Sequence, residues 1–159
     1  AKSILTSGKA DQMDVITTLT EVVRREHGAP EKAATAAIAL ARIGPDAAPA
    51  VTALVAALGG RDNALLQTAA AGALGAIGLA DGRVESALMD ALADLEPSVR
   101  AAAAAALGEI GPPAVGALPR LQQLERDLSK GVRAAAREAL SRIGAGPSPL
   151  VAALLKAWE

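Results

Sequence analysis

Four Ile-Gly pairs punctuate this chain at almost constant spacing. Ile43, Ile77, Ile110 and Ile143 stand 34, 33 and 33 residues apart, and Gly44, Gly78, Gly111 and Gly144 follow them. Three residues before each Ile stands Leu40, Leu74, Leu107 or Leu140. Four before stands Ala39, Ala73, Ala106 or Ala139, and seven before stands Ala36, Ala70, Ala103 or Ala136. These offsets fall on one helical stripe. Each unit therefore holds an amphipathic helix with a small-residue buried face and a terminal Leu-x-x-Ile clasp. The Gly suits the left-handed position after a helix end. Pro45 and Pro112 reinforce the stop in the first and third units. A tandem period of this length means a repeat architecture, in which each unit buries its apolar face against its neighbours.

Shorter apolar patterns lie between these helices. They run near 46–58 (Val51, Leu54, Val55, Leu58), 82–93 (Val84, Leu88, Leu92), 114–127 (Val115, Leu118, Leu121, Leu124) and 148–158 (Leu150, Leu154, Leu155, Trp158). An opening helix near 11–27 carries Met13, Ile16, Leu19 and Val23 at the same spacing. The expectation is an all-α chain of roughly nine helices, alternating in two sets. Residues 1–10 form an N-terminal cap or flexible segment. Residues 11–159 form one repeat domain, with units near 11–44, 46–78, 81–111 and 114–144 and a terminal half-unit at 147–159. Composition agrees. Ala is the best helix former and lets helix axes come close, while sheets want the β-branched and aromatic residues that are scarce here.

The strings Ser98-Val99-Arg100-Ala101 through Leu107-Gly108-Glu109-Ile110-Gly111, and Val132-Arg133-Ala134-Ala135-Ala136 through Leu140-Ser141-Arg142-Ile143-Gly144, resemble the second helix of HEAT repeats. They are most similar to the short variety named after phycobilisome lyases. The resemblance implies an α-solenoid of about four and a half helix pairs, wound as a right-handed superhelix, with the second helices lining the concave side. That family's Asp-before, Arg-in-helix pair is present as Asp94 with Arg100 and as Asp127 with Arg133. Such pairs link neighbouring repeats in a ladder. Ala33 and Gln67 occupy the Arg column of the first two units, so the ladder is expected only in the C-terminal half.

Opposite the buried stripe, positions −9, −5 and −2 from each terminal Ile are Ala34, Ile38, Ala41; Thr68, Gly72, Gly75; Ala101, Ala105, Gly108; and Ala134, Glu138, Ser141. This small, mostly uncharged face reads as a groove for a partner helix or chain. Its candidate contact residues are Ile38, Thr68 and Glu138, with Arg42, Glu109 and Arg142 in the next column. Helix-interior Gly costs about 1 kcal/mol relative to Ala, so Gly72, Gly75 and Gly108 invite a packing reason. Trp158 lies on the stripe of Leu150 and Leu154, where it seals the last unit, belongs to an array that continues further, or offers a self-association surface.

Several functions are disfavoured. A net charge of −1 argues against nucleic acid as the main partner. No apolar run reaches about 18 residues without a charge or Pro, so no membrane insertion is expected. No signal peptide is visible and a cytoplasmic setting is expected. His27 is the lone His and there is no Cys, which leaves no metal shell to assemble. The metal-dependent hydroxylases built on HEAT-like repeats use several His-Glu pairs, and none stands here in that order. No catalytic, cofactor-binding or metal-binding residue is assigned. The reading is a non-catalytic scaffold that presents an extended helical face to a protein partner. The alternatives are a bilin-lyase-like or chaperone-like subunit, suggested by the resemblance, and a structural homo-oligomer joined through the C-terminal helix with Trp158.

Overall fold

The computed structural model describes residues 2–25, 28–60, 63–144, 154 and 156–158, with side chains from Gly8 onward. Among these the chain forms eight α-helices and two 3-10 segments, and no strand. The helices are α1 (Lys2–Arg25), α2 (Pro30–Ile43), α3 (Val51–Gly59), α4 (Ala64–Ile77), α5 (Gly82–Ala91), α6 (Pro97–Ile110), α7 (Leu118–Leu124) and α8 (Lys130–Gly144). The 3-10 segments, Gly44–Ala50 and Pro112–Ala117, lead into α3 and α7. The expected ninth helix, near 148–158, lies almost wholly outside the described residues.

Local chemistry sets the helix ends. Pro30 and Pro97 open α2 and α6 in the first turn, where the missing N–H costs nothing. Asn63 and Asp81 cap α4 and α5 by accepting from the backbone N–H of Leu66 at 2.9 Å and of Arg83 at 2.8 Å. The Gly after each of the first three terminal Ile residues ends its helix at positive φ, 74° at Gly44, 66° at Gly78 and 76° at Gly111. Residues 30–59 are apolar and long enough to cross a bilayer if they formed one helix. They turn at Gly44 and fold as α2, a 3-10 segment and α3 instead.

The helices form an α-solenoid. The even-numbered helices stack in one layer, α2 on α4, α4 on α6 and α6 on α8. The odd-numbered helices form the other, each packed on the even helix of its own unit. Between the layers, Leu40, Leu74 and Leu107 from one side meet Leu54, Leu88 and Leu121 from the other, all buried. Burying each such side chain contributes roughly 1.5–3 kcal/mol. Along the stack the spacing is set by small residues. Ala37, Ala70, Ala71, Ala73, Ala103, Ala104 and Ala136 are wholly enclosed.

Candidate functional site

The layer of second helices carries every candidate contact residue, so the face that it turns outward decides the site. Four columns are exposed or half-buried. At position −5 stand Ile38, Gly72, Ala105 and Glu138, all exposed. At −1 stand Arg42, Ala76, Glu109 and Arg142, at −8 Thr35, Ala69, Ala102 and Ala135, and at −12 Glu31, Leu65, Ser98 and Gly131. The centre of this surface is apolar and low. Ile38 is 52% and Leu65 54% exposed, and nothing lies within 4 Å of a Cβ placed on Gly72. Charge lies toward its margins.

The expected face was rotated by about one column. Ala34, at −9, is buried, and so are Gly75 and Gly108 at −2. A Cβ on Gly75 would stand 2.7 Å from the Ala106 Cα, and one on Gly108 would stand 2.9 Å from the Ala139 Cα. These glycines are the crossing points of successive second helices, not the floor of a groove. A stacked helix buries three sides, and its lateral sides carry Ala and Gly, which do not stand out from an exposed small-residue face.

The six candidate residues share one layer but differ in state. Ile38 and Arg42 are exposed on α2, and no ion pair involves Arg42 among the described residues. Glu138 and Arg142 are spent on each other, Nε to Oε1 at 2.8 Å. Glu109 is exposed but leans over the seam between α4 and α6, its Oε2 3.0 Å from the Cβ position of Gly75. Thr68 is half-buried rather than outward, and its hydroxyl is enclosed with no hydrogen-bond partner among the described residues. Thr17, Thr18, Thr20 and Thr35 instead donate to the carbonyl one turn back.

The ladder is wired differently from the simple Asp-Arg pairing. Arg100 donates from Nη1 to the backbone carbonyls of Asp94 (2.8 Å) and Leu95 (3.0 Å), not to the Asp94 carboxylate. Its Nε and Nη2 grip Asp127 of the next unit at 2.9 and 3.0 Å. Both side chains are largely buried, at 16% and 10% exposure. These bonds from Arg100 hold the Asp127 carboxyl below its ordinary pKa, helped by the Ser129 N–H and opposed by desolvation. Asp94 receives Gln67, whose amide Nε2 donates to Oδ2 at 3.1 Å and also to the Leu58 carbonyl at 3.1 Å. The ladder therefore extends one rung further toward the N-terminus than expected. Gln67 is a neutral stand-in for the Arg of later units.

Leu65 was missed by the sequence reading, although it lies seven residues before Gly72 on the same stripe. Leu95 and Leu128 were missed too. They follow the two ladder aspartates and are 93% and 99% exposed. Their carbonyls, not their side chains, serve the ladder. Trp158 is 90% exposed and Leu154 55%, so the Trp side chain does not seal the last unit. His27 lies outside the described residues. Among the described residues no group of three or more potential metal ligands comes together.

Comparison with known proteins agrees with this architecture. Residues 85–158, which span both arginine rungs, match the family model described as HEAT repeats. The fold is similar to the crystal structure of an engineered protein, with 24% identity, a TM-score of 0.70, and coverage of 91% of this chain and 68% of that one. It is also similar to human deoxyhypusine hydroxylase in complex with glycerol, with 28% identity and a TM-score of 0.63. That match covers 82% of this chain, which spans 44% of the hydroxylase chain. No curated protein sequence matches the chain.

Proposed function

We propose that the protein is a non-catalytic interaction scaffold that receives a protein partner on the outward face of its second helices. The observation that carries this reading is the exposure of Ile38 and Leu65 beside the open position at Gly72. Two large apolar side chains bordering a shallow small-residue floor suit the close approach of a partner helix. Arg42 and Glu31 on α2 stand near this apolar patch and would orient the partner by charge. The stack beneath is closely packed, its helices touching at Gly75 and Gly108.

The test is capture of partners with crosslink mapping, using the parent, Ile38→Glu and Gly72→Arg. Both substitutions are at exposed positions and should keep the far-UV CD of the parent without lowering the melting temperature by more than a few degrees, with Gly72→Arg expected to raise it slightly through helix propensity. Loss of capture in both, with crosslinks on α2 and α4, supports the reading. Unchanged capture, or crosslinks confined to the odd-numbered helices, refutes it. A bilin titration addresses the lyase-like alternative, for which a stoichiometric absorbance change is the signature. The exposure of Trp158 and Leu154 favours self-association as a second reading. Light scattering at two concentrations tests it, and a constant monomer mass rejects it.

A further inference from the structure

Each second helix turns one edge toward the next, and the composition of that edge repeats. Six and two places before the terminal Ile stand Ala37 and Ala41 in α2, Ala71 and Gly75 in α4, and Ala104 and Gly108 in α6. In α8 the same places hold Arg137 and Ser141, both exposed. Lys130, Arg133 and Ala134 fall on the same side of α8 by helical spacing. This edge of α8 thus keeps the ladder Arg, as Arg133, and adds Lys130 and Arg137 where α6 has Pro97 and Ala104, which makes three cations in two turns.

Arg133 is held in place before any partner arrives. Its Nη1 donates to the carbonyls of Asp127 at 2.7 Å and Leu128 at 3.0 Å. Arg100 makes the same two bonds one unit earlier, and with its remaining Nε–Nη2 edge it grips Asp127. The equivalent edge of Arg133 pairs with no carboxylate among the described residues. Of the nearby acids, Glu138 pairs with Arg142, and Glu125 forms a long, exposed ion pair of 3.7 Å with Arg137 on this same edge, which a partner carboxylate would have to displace or share.

We propose that this edge of α8 binds an acidic segment of a partner protein, with one carboxylate seated on Arg133 as Asp127 is seated on Arg100. A guanidinium fork fits a carboxylate through two parallel bonds, and pre-positioning removes part of the ordering cost. Ala134 and Ser141 are small and let a backbone come near. Lys130 and Arg137 add attraction on either side and draw acidic surfaces in. Nucleic acid suits the edge less well, because no aromatic side chain of α8 offers a base a stacking surface. This surface is a lateral edge, separate from the outward face that carries Ile38.

The experiment is fluorescence anisotropy with the full chain and a labelled Glu- and Asp-rich peptide of about a dozen residues. A labelled DNA duplex of similar charge is the second probe. The expected result is saturable peptide binding that weakens with salt. Lys130→Glu with Arg137→Glu should weaken it about tenfold or more. Arg133→Lys, which keeps the charge but loses the fork, should also weaken it, and Ile38→Glu should leave it unchanged. Absence of peptide binding, indifference to the α8 variants, loss in Ile38→Glu alone, or DNA binding as tight as peptide binding would each overturn the proposal.

Discussion

Two glycines in α4, one turn apart, offer an internal control on how this stack is held together. Replacing Gly72 or Gly75 by Ala brings the same intrinsic helix gain, about 1 kcal/mol at an interior position. Their surroundings differ. A Cβ at Gly72 meets nothing within 4 Å, so Gly72→Ala should stabilise by roughly 0.5–1 kcal/mol. A Cβ at Gly75 meets the Ala106 Cα at 2.7 Å, the Ala106 Cβ at 2.9 Å and Glu109 Oε2 at 3.0 Å. The carboxylate can swing away, but the Ala106 backbone moves only if α6 moves with it. Overpacking of this kind costs about 1–3 kcal/mol, so Gly75→Ala should end near neutral or destabilised by up to ~2 kcal/mol. The difference between the variants, about 1–3 kcal/mol, isolates the helix contact because the propensity term cancels. Urea unfolding followed by far-UV CD measures it, and melting midpoints should separate by roughly 2–4 °C per kcal/mol for a chain of this size. If Gly75→Ala proves as stable as Gly72→Ala, successive second helices do not touch at this glycine and the account of the stack is wrong.

Other perturbations probe the ladder and the outward face. Arg100→Ala removes the bonds to Asp127 and to two carbonyls, leaves a largely buried carboxylate unpaired, and should cost roughly 2–3 kcal/mol in urea unfolding. Because Asp127 titrates below its ordinary value when folded, its contribution is present above about pH 4 and is lost as pH falls through the folded pKa. Stability against pH should therefore decline at the acid end, and Asp127→Asn should flatten that decline. Gln67→Glu sets a second carboxylate against Asp94 and the Leu58 carbonyl. It raises a folded-state pKa, so its penalty should be small in acid and grow as pH rises toward neutral; a pH-independent penalty would show that the like charges do not meet. Thr68→Val replaces an enclosed, unpartnered hydroxyl with a methyl group and should stabilise by about 1 kcal/mol, read from the urea midpoint.

The ends of the second helices were legible because Leu-x-x-Ile-Gly states two physical facts at once, a buried stripe and a residue free to adopt positive φ. α2, α4 and α6 end at Ile43, Ile77 and Ile110, as that punctuation requires. The first helices were less legible. Apolar spacing placed them near 46–58 and 114–127, but Pro45 and Pro49 and the Pro112-Pro113 pair hold their opening residues in 3-10 segments. Only α3 (Val51–Gly59) and α7 (Leu118–Leu124) remain α-helical. The exposed face was misjudged at Thr68, Gly75 and Gly108 for another reason. A stripe at −7, −4, −3 and 0 marks only part of the buried surface, and the opposite lateral side, built from Ala and Gly, carries no hydrophobic contrast. Gln67 departs from the Arg of its column, yet an amide can donate to a carboxylate and a carbonyl together, as it does to Asp94 and Leu58.

Two kinds of contact thus do separate jobs in this solenoid. Leucines join one layer to the other, where Leu40, Leu54, Leu74, Leu88, Leu107 and Leu121 are enclosed. Alanines and glycines set the distance from one second helix to the next, and the Gln67–Asp94 and Arg100–Asp127 rungs tie the turns of adjacent units. A substitution across the layers leaves a cavity, whereas one along the stack pushes two helices apart. The same distinction governs growth of the array. A second helix laid on α6 meets Ala104 and Gly108, but one laid on α8 meets Arg137 and Ser141. The edge that α8 presents is therefore bulkier and more polar than the edge each earlier second helix presents to its neighbour.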